Sequence, residues 1–130
     1  MTDHLLTAVR RLSDAFATRD LAAALDCFVP SDDISYVGSE QGERAHGRAA
    51  VAALFASLFT RSEAYSWQAT ELVSYRCVQG VFVMVEAEGL ATGGDGEREA
   101  FAYRLCGLLE WCGDDWAWRA CNASVPEPPG

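Results

Sequence analysis

From Trp67 onward apolar and polar residues alternate, and the last such stretch, Asp115 to Ser124, constrains the fold most. Trp116, Trp118, Ala120, Asn122 and Ser124 share one parity, whereas Ala117, Arg119, Cys121 and Ala123 share the other. Successive side chains point to opposite faces of a strand, so one face should begin with two large aromatics and end in an amide and a hydroxyl. That is the make-up of one wall of a half-polar pocket. Period-two segments are expected at 65–77, 80–92, 98–112 and 115–124. The connections between them, Gln79-Gly80, Gly93-Gly94-Asp95-Gly96 and Gly113-Asp114-Asp115, have hairpin-turn chemistry, which implies an antiparallel meander.

The first half of the chain has helical periodicity instead. Leu5, Val9, Leu12 and Phe16 form one apolar stripe, with Asp3 available as a cap. Asp20 can cap a second helix carrying Leu21, Ala24, Leu25 and Phe28, and Pro30 prevents its continuation. A short strand at 34–37, a turn at Gly38 to Gly42 and a return strand at 44–46 precede a third helix after Gly47. In that helix Val51, Leu54, Phe55, Leu58 and Phe59 recur at i, i+3, i+4, i+7 and i+8.

Composition narrows the function. The chain has 130 residues, enough for one domain with a core of its own; residues 1–124 are expected to form it and 125–130 a frayed tail. No apolar run approaches the roughly 20 residues of a membrane span, and the N-terminus lacks a secretory pattern, so a cytoplasmic protein is expected. A formal charge of -9 disfavours nucleic acid and anionic membranes as partners. All ten basic residues are Arg, which removes Schiff-base chemistry and the P-loop lysine. Five cysteines without a C-x-x-C pair read as reduced thiols, and His4 and His46 lie too far apart in sequence for a zinc motif, so neither metal nor cofactor is expected. Val81 to Val85 is apolar on both parities, and helices can cover only one face. A second copy of the sheet on the other face, in a homodimer, is the simplest cover.

Asp32-Asp33, the passage Val37 to Glu40, and Gly47 to Val51 resemble the acidic pair, short strand and glycine-to-helix step of SnoaL-like proteins and ketosteroid isomerases. Tyr103-Arg104 and Trp118 to Pro126 resemble the closing strand pair of SnoaL-like domains. The resemblance implies an α+β cone of the nuclear-transport-factor-2-like kind, three helices packed on a strongly curved antiparallel sheet around a small-molecule cavity. It also marks departures. Gly38 stands where ketosteroid isomerases carry their general-base aspartate, the first helix has no tyrosine, and Asn122 stands where some relatives carry a histidine.

Candidate site residues follow from both readings. Glu40, two residues beyond Gly38, and His46, before the third helix, are candidate proton carriers; each has a plain alternative as a solvated surface group. Arg104 sits among apolar neighbours in a strand, where it either clamps a ligand oxygen or bridges a glutamate such as Glu71 or Glu86. Tyr36, Trp67, Glu71, Trp118, Asn122 and Ser124 are the candidate ligand contacts, with core packing as the alternative for the aromatics. The resulting expectation is a protein that binds an apolar, carbonyl-bearing ligand and acts as an acid–base isomerase, cyclase or dehydratase. The alternative is a non-catalytic dimerisation or carrier module whose cavity is filled by its own side chains.

Overall fold

The computed structural model describes residues 1–129, so Gly130 of the expected tail lies outside the described residues. Helices α1 (Thr2–Thr18) and α2 (Leu21–Asp26) form a hairpin, strands β1 (Ser35–Val37) and β2 (Arg44–His46) a short ribbon, and α3 (Arg48–Leu58) follows. Four long strands complete the chain: β3 (Ala64–Arg76), β4 (Val81–Thr92), β5 (Arg98–Trp111) and β6 (Trp116–Ser124). Asp20 accepts the Ala23 amide at 3.0 Å and so caps α2 as its residue type predicts. Asp3 does not cap α1. It lies inside the first turn, where its carboxylate meets the positive end of the helix dipole instead. Among the described residues no helix is long and apolar enough to cross a membrane.

The six strands form one sheet in the order β2-β1-β6-β5-β4-β3, antiparallel except for the parallel pair β1 and β6. That pair carries the short ribbon onto the edge of the meander, with Tyr36 opposite Cys121 and Val37 opposite Asn122. The helices pack into the concave side. Leu5, Val9, Leu12 and Phe16 of α1 and Val51 and Phe55 of α3 are buried there against Val83, Val85, Leu105, Leu109 and Trp118. Phe55 meets four aromatic rings, those of Phe16, Phe28, Tyr36 and Phe59, with centroids between 5.0 and 6.0 Å away, and Phe16 likewise meets four.

Two β-bulges bend the sheet and overturn part of the simple alternation. In β3, Ala69 pairs with Ala87 and Glu71 with Glu86, leaving Thr70 as the extra residue. In β6, Trp118 pairs with Leu109 and Ala120 with Leu108, leaving Arg119 extra. One inserted residue exchanges the faces for everything beyond it. Trp67 and Trp118 therefore point inward, while Glu71, Asn122 and Ser124, expected on the same face as those tryptophans, are exposed on the convex side. Gly107, opposite Cys121 beside the second bulge, permits the close approach: a Cβ there would run into the Ala120 carbonyl oxygen.

The apolar run at 81–85 divides as a strand with two faces must. Val81, Val83 and Val85 are buried, and Phe82 and Met84 stand on the convex face at 39% and 53% exposure, beside Val73 and Tyr75.

Truncating Phe55 to alanine removes the centre of the aromatic cluster and should cost about 3–5 kcal/mol in urea unfolding. Phe82→Ala, on the open face, should cost under about 1 kcal/mol in the monomeric chain. Equal losses at the two positions would contradict this division of the sheet.

Candidate functional site

A cavity of about 440 Å³ opens where the C-terminal ends of α1 and α3 meet the β1–β2 turn and the ends of β3, β4 and β5. Its apolar walls are Phe16, Phe59, Trp67 and Phe101, and Tyr36 and Tyr103 supply buried hydroxyls. Arg19, Glu40, Arg61, Glu63 and Glu99 line it with charge, and Val125, just past β6, lines it as well. The volume and the mix of rings with a few polar groups suit a small organic ligand.

The local sequence explains how Glu43 enters this cavity. After β1 the chain turns through Gly38 to Gly42 and returns, with the Gly38 amide donating to the Glu43 carbonyl at 2.7 Å and the Glu43 amide to the Glu40 carbonyl at 2.9 Å. Gly38 has no side chain, and the Glu43 carboxyl occupies the space a Cβ at Gly38 would need. Glu43 is left only 9% exposed. Burial, reinforced by the neighbouring Glu40 carboxylate, raises its pKa from 4.5 to about 7, with the Arg61 cation opposing. Glu40 is shifted the other way, held low by Arg61, which donates to its two oxygens at 3.1 and 2.8 Å. Both partners of that ion pair are solvent-exposed, so its worth is about 1 kcal/mol or less. Its larger effect is to keep a negative charge beside Glu43.

The hydroxyls of Tyr36 and Tyr103 approach each other, and burial pushes both above the ordinary phenol range. Both are neutral O–H groups near pH 7, each able to donate to one acceptor. Trp67, tilted over Tyr103 with centroids 5.4 Å apart, has a buried indole N–H with no hydrogen-bond partner in the protein. Cys121 is buried, and its thiol is held protonated by that burial. The arrangement therefore combines one carboxyl that gains or loses a proton near neutrality with neutral donors suited to a carbonyl or enolate oxygen. Among the described residues no group of three or more His, Cys, Asp or Glu side chains is disposed to hold a metal ion.

Of the residues singled out in the sequence, Tyr36, Trp67 and Glu40 line this cavity. The others do not. Arg104 points outward and donates to Glu86 at 2.8 Å on the convex face, because its strand neighbours Tyr103 and Leu105 take the inward positions. Glu71, Asn122 and Ser124 share that outer groove with it, displaced by the two bulges. His46 is exposed, its Nδ1 bonded to the Ser35 hydroxyl at 2.8 Å across the β1–β2 ribbon. Trp118 is fully buried core and lines no wall of the cavity. Sequence reasoning missed Glu43, Tyr103, Arg61 and Phe101. Tyr103 and Phe101 had a signal in their shared parity with Leu105, and Glu43 had one in the bare Gly38 across the turn.

The fold is the cone of the nuclear-transport-factor-2-like superfamily. Solved structures of similar shape include a Streptomyces avermitilis protein of the NTF2-like family assigned as a candidate dehydratase, with TM-score 0.82 and 13% identity over 98% of this chain and 97% of that one. A ketosteroid isomerase-like protein from Erwinia carotovora atroseptica gives 0.73 and 22% over 97% and 96%. ActVI-ORFA from Streptomyces coelicolor gives 0.77 and 15% over 95% and 96%. No curated protein matches the sequence. The SnoaL-like domain model matches residues 9–118, and the chain belongs to that family of small-molecule-binding domains.

Because the folded-state pKa of Glu43 lies above its unfolded value, the folded state binds the extra proton between pH 4.5 and about 7. The corresponding stability is complete below that window and lost as pH rises through it, on the order of 3 kcal/mol. Urea unfolding at pH 5 and pH 8 should show this loss, and Glu43→Gln should remove most of it. A wild-type stability that rises between these pH values and is unaltered in the variant would contradict the assignment.

Proposed function

We propose that this protein binds an apolar, carbonyl-bearing aromatic molecule in the cavity and moves a proton on it, with Glu43 as the acid–base group. The observation that carries this reading is the Glu43 carboxyl lodged in the space of the absent Gly38 side chain, titrating at about 7 beside two buried phenols. Ionised Glu43 takes a proton from the carbon next to the carbonyl. The electron pair of that C–H bond moves onto the carbonyl oxygen, and the Tyr36 and Tyr103 hydroxyls hold the resulting enolate. Returning the proton to a different atom gives isomerisation, and attack by the enolate on a second carbonyl gives cyclisation.

Glu40 then has an auxiliary part. Paired with Arg61 and held low, it is a weaker base than Glu43, but its charge keeps the Glu43 pKa near neutrality. His46, on the exposed ribbon, has no part in this scheme. The reading is tested by following deuterium exchange at the α-carbon of aromatic ketones in D2O by NMR. The exchange rate should rise with pH to a plateau above about 7 and fall ~10²–10⁴-fold in Glu43→Gln. Tyr36→Phe should slow it ~10-fold or more. Binding without any exchange would assign the cavity to a carrier.

The convex face supports a homodimer. Tyr75, Met84, Phe82 and Val73 form an exposed apolar patch there, interrupted only by polar groups such as the paired Arg104 and Glu86. Sedimentation should give twice the 14.1 kDa chain mass, and Met84→Asp should shift it to one. A monomeric wild type would remove the proposal.

A further inference from the structure

We infer that the cavity selects its ligand by charge, taking uncharged aromatic carbonyl compounds and refusing aromatic carboxylates, with Glu43 as the residue that sets the choice. This rests on the proposed function of the cavity and adds to it the class of substrate.

The charges on the lining carry the inference. Four carboxylates, Glu40, Glu43, Glu63 and Glu99, face two cations, Arg19 and Arg61. Arg61 is committed to Glu40 through two hydrogen bonds of 3.1 and 2.8 Å. Arg19 is exposed and donates one guanidinium nitrogen to the Arg61 carbonyl. None of the other arginines is among the residues lining the cavity: Arg104 pairs with Glu86 outside, Arg119 with Glu110 at 2.7 Å, and Arg48 donates to the Val29 carbonyl at 3.0 Å. The buried end of the cavity therefore offers neutral donors, the hydroxyls of Tyr36 and Tyr103.

Neutral donors satisfy a ketone, ester or phenol. A carboxylate in the same place would be buried near Glu43 with no cation to compensate it, and two like charges in one dry site cannot both stay ionised. The net charge of -9 adds a long-range repulsion that salt can screen, whereas the contact with buried Glu43 is screened far less. Glu63 and Glu99 are exposed and contribute to the screened part.

The test uses 6-propionyl-2-(dimethylamino)naphthalene, an uncharged aromatic ketone whose emission moves to the blue in an apolar site. Its displacement is compared for two competitors of one ring system, 2-acetylnaphthalene and 2-naphthoate. At pH 8 the ketone should compete at least ~10-fold better than the carboxylate. At pH 5.5, where naphthoate is still charged but Glu43 holds a proton, the ratio should shrink several-fold. Glu43→Gln should shrink it at pH 8 by a similar factor, and the pH comparison on the wild type stands even if that variant folds poorly. Equal competition by the two compounds at pH 8, or a ratio indifferent to both pH and the substitution, overturns the inference while leaving the cavity a ligand site. Absence of any blue shift with the probe overturns the ligand-site reading, and the inference with it.

Discussion

The extra residue at Arg119 is the constraint on which the architecture turns. It lets Trp118 drop into the core and, on the next turn of the pleat, sends Cys121 and Ala123 inward and Asn122 and Ser124 out. The bulge is pinned from outside: the Arg119 guanidinium donates to both oxygens of Glu110, at 2.7 and 3.0 Å, and to the Asp33 carbonyl at 2.6 Å. From inside it is held by the Trp118 backbone, whose amide donates to the Cys27 carbonyl at 2.8 Å and whose carbonyl accepts from the Val29 amide at 2.9 Å. With β6 anchored on both sides, β1 can lie parallel to it, and the β1–β2 turn is carried to the mouth of the cone. A uniform strand would have offered no such bend.

At that mouth the chain exchanges one residue for another across a hairpin. Gly38, just past β1, leaves a hole, and Glu43, just before β2, fills it. The consequences are electrostatic. Lacking a cation of its own, the Glu43 carboxyl is desolvated by burial and set beside Glu40, whose pKa Arg61 holds low, and the two effects together bring its titration into the physiological range. Such a group is expensive to keep in a fold, and a purely structural role is met more cheaply by an apolar side chain.

Periodicity made most of the fold legible. The three helical stripes, the four long strands and the short ribbon appear within a residue or two of where the sequence predicts them, since each rests on several residues repeating one pattern. The bulges escaped because a single inserted residue leaves no mark in composition, yet it reverses every face beyond it. Glu71, Asn122 and Ser124 were misread for that one reason. Of the two readings open for Arg104, the bridge to a glutamate is the one the structure has, to Glu86, but on the convex face, because its apolar neighbours occupy the opposite parity. The site was partly legible. The resemblance to ketosteroid isomerases drew attention to the turn after Val37, with Gly38 as a gap in it, and Tyr36, Glu40 and Trp67 do line the cavity. Which carboxylate fills the gap depends on how the hairpin closes, and a count of residues along the chain pointed to Glu40 rather than Glu43.

The proposed chemistry depends on a nearly buried glutamate at the cavity, Glu43, holding its proton to near neutrality. Carbon-13 NMR of side-chain carboxyls in glutamate-labelled protein, titrated from pH 3 to 9, measures this directly. One glutamate resonance should move with a midpoint at about 7 and vanish from that range in Glu43→Gln. A spectrum in which every glutamate has completed its titration below pH 5.5 would contradict the claim.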